Sequence, residues 1–326
     1  MNLIMDQEVI FMKPYAFGVD IGGTTIKMGF FTTDGKFVDK WEITTRTENS
    51  GEKILPDIAR SIKKKLKDNE LTLDDLEGVG IGVPGPVLPD GVVNQCVNLG
   101  WGVIDVRREL SSLLDGIYVA VGNDANVAAL GEQWNGGGKG HDNVVMVTLG
   151  TGVGGGIILG GKILAGSHGA AGEIGHMKVR DKETAVCGCG KKGCLEQYSS
   201  ATGVVRLARI ALEANPTAET PLRDLDPLTA KDVFDYAKTG DEFSLSVIDT
   251  VGKMLGEAIA HITCVVDPDV IVIGGGVSRA GQILLDAVEK YYKPAAFHAS
   301  RDTDFKLAVL GNDAGMYGAV RMIINK

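Results

Sequence analysis

No stretch of the chain approaches the run of about 18 apolar residues that a membrane-spanning helix requires, which excludes a helical span. Cysteines number only five in 326 residues, an odd count. So sparse a set of thiols does not build a disulfide framework, and it fits a reducing compartment, the cytoplasm. The opening MNLIMDQEVIFMKPY lacks a basic n-region and a small-residue cleavage site, so it does not read as a secretory signal. Met5 and Met12 are alternative starting residues. Low-complexity tracts are absent, and aromatic residues make up 6% of the chain. Positive charge is also short: 33 Lys and Arg face 42 Asp and Glu, for a formal net charge of −9. A dispersed negative balance argues against a nucleic-acid surface. Anionic small ligands stay open, because glycine loops bind phosphate through backbone N–H groups whatever the net charge.

What the chain has in quantity is glycine, 45 residues of it. VDIGGTTIKMGFF begins at Val19, and VTLGTGVGGGIIL echoes it from Val147. Each reads as strand, glycine turn, strand, turn, strand. The echo suggests two similar α/β domains facing each other. Elsewhere, Ile54, Ile58, Ile62 and Leu66 form one helical stripe. GVGIGVPG reads as a buried strand, and DVRRELSSLLD as a helix capped by Asp105. IYVAVGN is a strand running into the helix DANVAALGEQW. Residues 242–267 read as a long helix, PDVIVIGGGVS and FKLAVLG as strands, and DAGMYGAVRMII as the last helix. The Pro-containing stretch 215–228 reads as a surface excursion.

Three glycine turns follow strands: Gly22–Gly23, Gly150 to Gly156, and Gly274 to Gly276. Together they point to nucleotide phosphate, although none matches the P-loop or the full dinucleotide fingerprint. Asn123 and Asp124 end a strand and enter a helix. A carboxylate there can accept a proton from a substrate hydroxyl, or simply cap the helix.

Three of the five cysteines crowd into CGCGKKGC, as Cys187, Cys189 and Cys194. The CxC spacing is not that of a redox pair. Three thiolates lack one ligand of a tetrahedral zinc site, which His176 or, failing it, His168 can supply. Buried free thiols are the alternative. Glu173 and Glu196 flank this segment; carboxylates of this kind hold sugar hydroxyls, or are plain surface groups.

Taken in order, DIGGTTIK, GVPGPV, NDAN, TLGTGVGGG, GEIGH, CGCGKKGCLE and IVIGGGVS resemble the motifs of the ROK family, named for repressors, open reading frames and sugar kinases. The resemblance runs from about Tyr15 to the C-terminus. GEIGH together with CGCGKKGCLE is its most specific part, and NLGW at Asn98 to Trp101 fits the family's bacterial glucokinases.

The resemblance implies two ribonuclease H-like α/β domains of the actin-like ATPase (sugar kinase) fold around a cleft. A smaller domain would span residues 1–122, with a C-terminal helix, 312–326, packing back on it. A larger one would span 123–311. It implies ATP-dependent phosphorylation of glucose, with fructose, N-acetylmannosamine or N-acetylglucosamine as alternative sugars. A sugar-sensing repressor of the family would need a DNA-binding helix-turn-helix, and only 19 residues precede Asp20. By the same resemblance Asp124 is the catalytic base. Asn98, Asn123, Asp124, Glu173, His176 and Glu196 hold sugar, and His176, Cys187, Cys189 and Cys194 hold a structural Zn²⁺. Asp20 lies near Mg²⁺. Gly22, Gly23, Thr24, Thr25, Lys27, Thr151 and Gly152 meet the phosphates of ATP, and Gly275 and Gly276 its adenosine. A homodimer or homotetramer is implied, with no nucleic-acid or membrane partner. The metal loop is expected to act locally, at a distance from the glycine turns.

Overall fold

The computed structural model describes residues 12–325. The alternative start at Met5 and the reading of the first eleven residues lie outside them. The chain divides into two compact units: residues up to Gly122 together with Ala319 onward, and Asn123–Gly318.

The first unit is built on strands β1 (Tyr15–Ile21), β2 (Thr25–Thr32), β3 (Phe37–Thr44) and β4 (Leu76–Val83). A short antiparallel ribbon follows, β5 (Val92–Val93) with β6 (Ile104–Asp105), and then β7 (Val119–Asn123). The main sheet has the order β3-β2-β1-β4-β7, with β1 antiparallel to β2 and parallel to β4. A left-handed turn, α1 (Glu48–Gly51), leads to α2 (Ile54–Asp68), and α3 (Val106–Leu113) comes later. The expected stripe of α2 is the buried one: Ile54, Ile58, Ile62 and Leu66 are each at most 2% exposed. Each such side chain contributes roughly 1.5–3 kcal/mol by leaving water. Asp105 caps α3, accepting the Arg108 N–H at 2.9 Å.

The second unit holds α4 (Asp124–Asn135), β8 (Val144–Leu149), β9 (Val153–Leu159), β10 (Lys162–Ile163), α5 (Glu196–Ser199), α6 (Ala201–Ala214), α7 (Ala230–Lys238), α8 (Glu242–Val266), β11 (Val270–Gly274), α9 (Gln282–Ala295) and β12 (Asp304–Leu307). The last helix, α10 (Ala314–Ile324), starts in this unit and ends in the first. The sheet order is β10-β9-β8-β11-β12, with β8 antiparallel to β9 and parallel to β11. Both sheets therefore follow one plan. Two hairpins give three antiparallel strands, and a crossover strand then lies parallel to the first of them. The echo at Val19 and Val147 is the sequence trace of that plan.

Two sequence readings change. Gly154, Gly155 and Gly156 belong to β9 rather than to a turn. They serve packing: a methyl at Gly156 would stand 2.4 Å from Ala129 Cβ of α4, and one at Gly155 would stand 2.6 Å from the Gly172 carbonyl. Residues 215–228 are also not wholly superficial, because Leu222 and Leu228 insert into the core.

Helix α4 is tied down by Glu132, which is fully buried. Its carboxylate accepts the backbone N–H groups of Gly137 (2.8 Å), Val309 (3.0 Å) and Leu310 (2.8 Å). Stranding a buried donor costs about 1–3 kcal/mol. Glu132→Ala should therefore lower the unfolding free energy by about 3 kcal/mol or more, with Glu132→Gln between it and wild type. Urea unfolding at the wild-type midpoint would remove Glu132 as an anchor.

Candidate active site and metal centre

In the first unit, the turn from Gly22 to Thr25 closes with the Gly22 N–H donating to the Thr25 carbonyl at 3.0 Å. Thr45 braces it, its hydroxyl donating to the Gly22 carbonyl at 2.7 Å and its N–H to the Thr24 carbonyl at 2.9 Å. Asp20 and Lys27 face each other across β1 and β2, with Nζ and Oδ2 3.8 Å apart. Burial pushes the Asp20 carboxyl up, and the Lys27 ammonium pulls against it. Asn98 is exposed on the short helical turn Val97–Leu99. Leu99 and Trp101 anchor that turn in the core, and the Trp101 indole N–H donates to the Gly51 carbonyl at 3.3 Å.

In the second unit, two residues that share a strand end take separate tasks. Asn123 caps α4, accepting the Asn126 N–H at 3.2 Å. Asp124 is the first residue of the helix, and its Oδ1 accepts from the Ala125 N–H (2.8 Å) and from Asn123 Nδ2 (3.0 Å). The carboxylate is thus fixed at a helix N-terminus, where backbone dipoles favour negative charge.

The parallel strands β8 and β11 end side by side in two further turns. In the first, the Gly150 N–H donates to the Gly152 carbonyl at 3.0 Å. In the second, Gly275 adopts a φ of 83° and presses on Leu149, whose carbonyl a methyl there would meet at 2.5 Å. The two turns thereby meet at Leu149 and Gly275. Gly276 also lines a cavity of about 400 Å³ with Ala201, Thr229, Phe234, Val277 and Arg279. The Ala201 N–H donates to the Gly150 carbonyl, which joins the cavity wall to the turn. Crevices at the carboxyl ends of parallel strands are where open α/β sheets bind ligands.

His176, Cys187, Cys189 and Cys194 come together, with their ligand atoms all within 4.8 Å of one another. His168 is not among them. His176 Nδ1 lies 3.8 Å from Cys187 Sγ, and the sulfurs of Cys189 and Cys194 lie 3.6 Å apart. A tetrahedral zinc with sulfur ligands at about 2.3 Å would space its donors about 3.6–3.8 Å apart, so the set fits. The loop is shaped by the Cys187 N–H donating to the Lys191 carbonyl and the Gly190 N–H to that of Cys187, both at 2.8 Å. As bare thiols the set is mismatched. Burial and the neighbouring thiols push Cys194 up to about 12, and burial raises Cys187, while the Lys191 N–H pulls Cys189 down. A soft cation is what lets three such groups ionise together. On the far side of the imidazole, His176 Nε2 faces Glu173 Oε2 at 4.0 Å.

Glu196 opens α5 two residues after the last cysteine of the loop. Its Oε2 accepts the Val153 N–H at 3.1 Å, and its Oε1 lies 3.6 Å from Cys187 Sγ. The expected distance between metal loop and glycine turns therefore does not hold for the turn at Gly150 to Gly152. One carboxylate touches both, because α5 and α6 pack against the turn that joins β8 to β9.

The sequence pattern of the ROK family matches residues 16–326. The chain belongs to the ROK family. It is 46% identical to a glucokinase of Halalkalibacterium halodurans, over 92% of each chain. A glucokinase of Thermotoga maritima is 36% identical, over 94% of this chain and 96% of the relative. Among solved structures, a ROK family glucokinase from Streptomyces griseus in complex with glucose and AMPPNP superimposes with a TM-score of 0.73 at 32% identity, covering 94% of this chain and 98% of that one. The fold of this ROK protein is that of the actin-like sugar kinases. No helix among the described residues is long and apolar enough to cross a membrane.

Sequence reasoning missed the latch that holds the metal loop from outside. Glu183, on the loop, accepts from the Tyr198 hydroxyl, from Arg206 Nη2 at 2.7 Å and from the Ala185 N–H at 2.9 Å. Gln197 adds a second tie, accepting the N–H groups of Gly193 and Cys194 and donating to the Ala185 carbonyl. Burial alone would push the Glu183 carboxyl up, but the Tyr198, Ala185 and Arg206 donors outweigh that and hold it at about 2. Burial and the adjacent Glu183 push the Tyr198 hydroxyl up to about 12.

A carboxyl held below its unfolded value stabilises the fold above that value and stops doing so as the pH falls through the folded one. Glu183→Gln should therefore be less stable than wild type at neutral pH, and the gap should close between about 4.5 and about 2. Urea unfolding across that range checks this; a gap independent of pH would show that the charge contributes nothing.

Proposed function

We propose that this protein transfers the γ-phosphoryl group of ATP to the 6-hydroxyl of glucose, with Asp124 as the base. The observation that carries the reading is the division of labour at the start of α4. Asn123 does the capping, while the Asp124 carboxylate is fixed beside it by two donors. Asp124 takes the proton of the sugar hydroxyl as its oxygen attacks the γ-phosphorus in line, and ADP leaves on the opposite side. Asn98, Asn123, Glu173, His176 and Glu196 hold the sugar with it. Backbone N–H groups of the turns at Gly22 to Thr25 and at Thr151–Gly152 stabilise charge on the phosphate oxygens, aided by Lys27. The adenosine lies in the cavity beside Gly276, next to Gly275.

Asp20, a partly exposed carboxylate, suits a Mg²⁺ that keeps most of its water, and the ion when bound neutralises phosphate charge. His176, Cys187, Cys189 and Cys194 suit a structural Zn²⁺, since four protein ligands leave no open position. The five cysteines, all free thiols, support a cytoplasmic setting.

In a coupled assay of ADP release, glucose should be turned over and 6-deoxyglucose should bind without reacting. Asp124→Asn should lower kcat by about a hundredfold or more, the scale of a general base, with sugar affinity largely kept. Near-wild-type turnover in the variant would sink Asp124 as the base, and turnover confined to N-acetylated sugars would name the wrong substrate.

Metal analysis should find one zinc per chain, lost in Cys189→Ser. Zinc that survives His176→Ala unchanged would point to another fourth ligand.

A further inference from the structure

We propose that Thr45 is a positioning residue for the turn at Gly22 to Thr25: it fixes the direction in which that turn aims its backbone N–H groups. The proposal rests on the reading above, in which this turn meets the phosphates of ATP. The pairing of β2 with β3 sets Thr44 opposite Thr25, so the next residue, Thr45, stands opposite Thr24. Thr45 is a buried polar residue, 7% exposed. It donates twice, its N–H to the Thr24 carbonyl at 2.9 Å and its hydroxyl to the Gly22 carbonyl at 2.7 Å. Beyond it, Arg46 forks onto Asp57 in the first turn of α2, with Nε donating to Oδ2 and Nη2 to Oδ1, each at 2.6 Å. Arg60 Nη1 donates to the same Oδ1 at 2.7 Å. The segment that carries Thr45 is therefore anchored to a helix whose apolar stripe lies in the core.

A trans peptide is planar, so its C=O and its N–H point in opposite directions and turn as one piece. The Gly22 carbonyl shares a peptide with the Gly23 N–H, and the Thr24 carbonyl shares one with the Thr25 N–H. Drawing both carbonyls toward Thr45 therefore turns both N–H groups away from it. The Gly22 N–H is engaged inside the turn, with the Thr25 carbonyl, and is no donor for phosphate. Gly23 and Thr24 form the exposed tip of the turn. Two successive glycines leave the peptide between them free to rotate, so its orientation has to come from outside the turn, and the Thr45 hydroxyl supplies it. Donors aimed in advance stabilise phosphate charge without reorganising as it arrives.

Calorimetric titration of AMPPNP with Mg²⁺ and, separately, of glucose into wild type, Thr45→Val and Thr45→Ser tests this. Valine keeps the branched shape and the backbone N–H but removes the hydroxyl, whereas serine keeps the hydroxyl. AMPPNP affinity should fall by roughly three- to tenfold in Thr45→Val, the scale of one hydrogen bond. Thr45→Ser should restore it, and glucose affinity should stay at the wild-type level in both. If Thr45→Val fails to fold, Arg46→Lys keeps the charge but loses the fork, and it should show the same split between the two ligands. Unchanged AMPPNP affinity in the folded variant used, or a loss in Thr45→Val that Thr45→Ser does not restore, would overturn the role of Thr45 and leave the kinase reading standing. An equal loss of glucose binding would make Thr45 a residue of the fold alone and overturn the proposal as well. Wild type that binds AMPPNP no more tightly than adenosine would overturn the phosphate reading of the turn, and the proposal with it.

Discussion

Helix α4 lies on strand β9 at backbone distance, and the second unit is arranged around that contact. A residue without a side chain at Gly156 allows it, while Gly155 makes room for Gly172 on the other face and Gly154 for the Thr148 side chain, so three glycines stand in a row inside a strand, where they weaken the strand itself. The closeness is useful because α4 begins with Asn123 and Asp124. Pressed on the sheet at one point and pinned by the buried Glu132 further along, the helix has little freedom to shift its first turn. The base proposed at Asp124 would need that rigidity, since a carboxylate displaced by an ångström loses much of its catalytic value.

The metal loop is held by a different principle. It contains almost no regular structure and contributes only Cys187 and Cys194 as buried side chains. Such a segment has little apolar burial to offset the entropy of ordering it. Its order comes from point attachments instead: the four clustered side chains suited to a metal at its centre, Glu183 with Tyr198 and Arg206 on its outer side, and Gln197 beneath it. Because these attachments sit on different residues, the loop can be anchored to α5 and α6 independently of the ligand set. Glu196 then follows the last cysteine ligand with one residue between, so its place is dictated by the loop and by the helix alike.

Much of this was legible in the sequence where the determinants are local. The α2 stripe, the Asp105 cap, the repeated hairpin plan and the cysteine spacing all depend on residues a few positions apart. The fourth member of the cluster, His176, is also close in sequence. What sequence reading mistook was the glycine run in β9, since glycines required by a turn and glycines required by close packing look the same along the chain. Glu132 and Glu183 were invisible for a related reason. Glutamate is ordinarily a surface residue, and the partners that bury these two lie up to 178 and 23 residues away. The roles of Asn98, Glu173 and Glu196 became legible only through family motifs, since spacing alone does not distinguish them from solvated side chains.

The imidazole of His176 stands with Nδ1 toward the thiols and Nε2 toward Glu173. A neutral imidazole carries one mobile hydrogen, and its tautomer is set by whichever nitrogen is otherwise engaged. A cation held on Nδ1 would leave the hydrogen on Nε2, and the residue would then only donate on that face. A metal knuckle here would be more than a clasp, because it would fix the polarity of a hydrogen bond. A disulfide or a patch of hydrophobic packing put in its place could hold the loop's shape, but it would leave the ring able to present a lone pair where a donor is wanted.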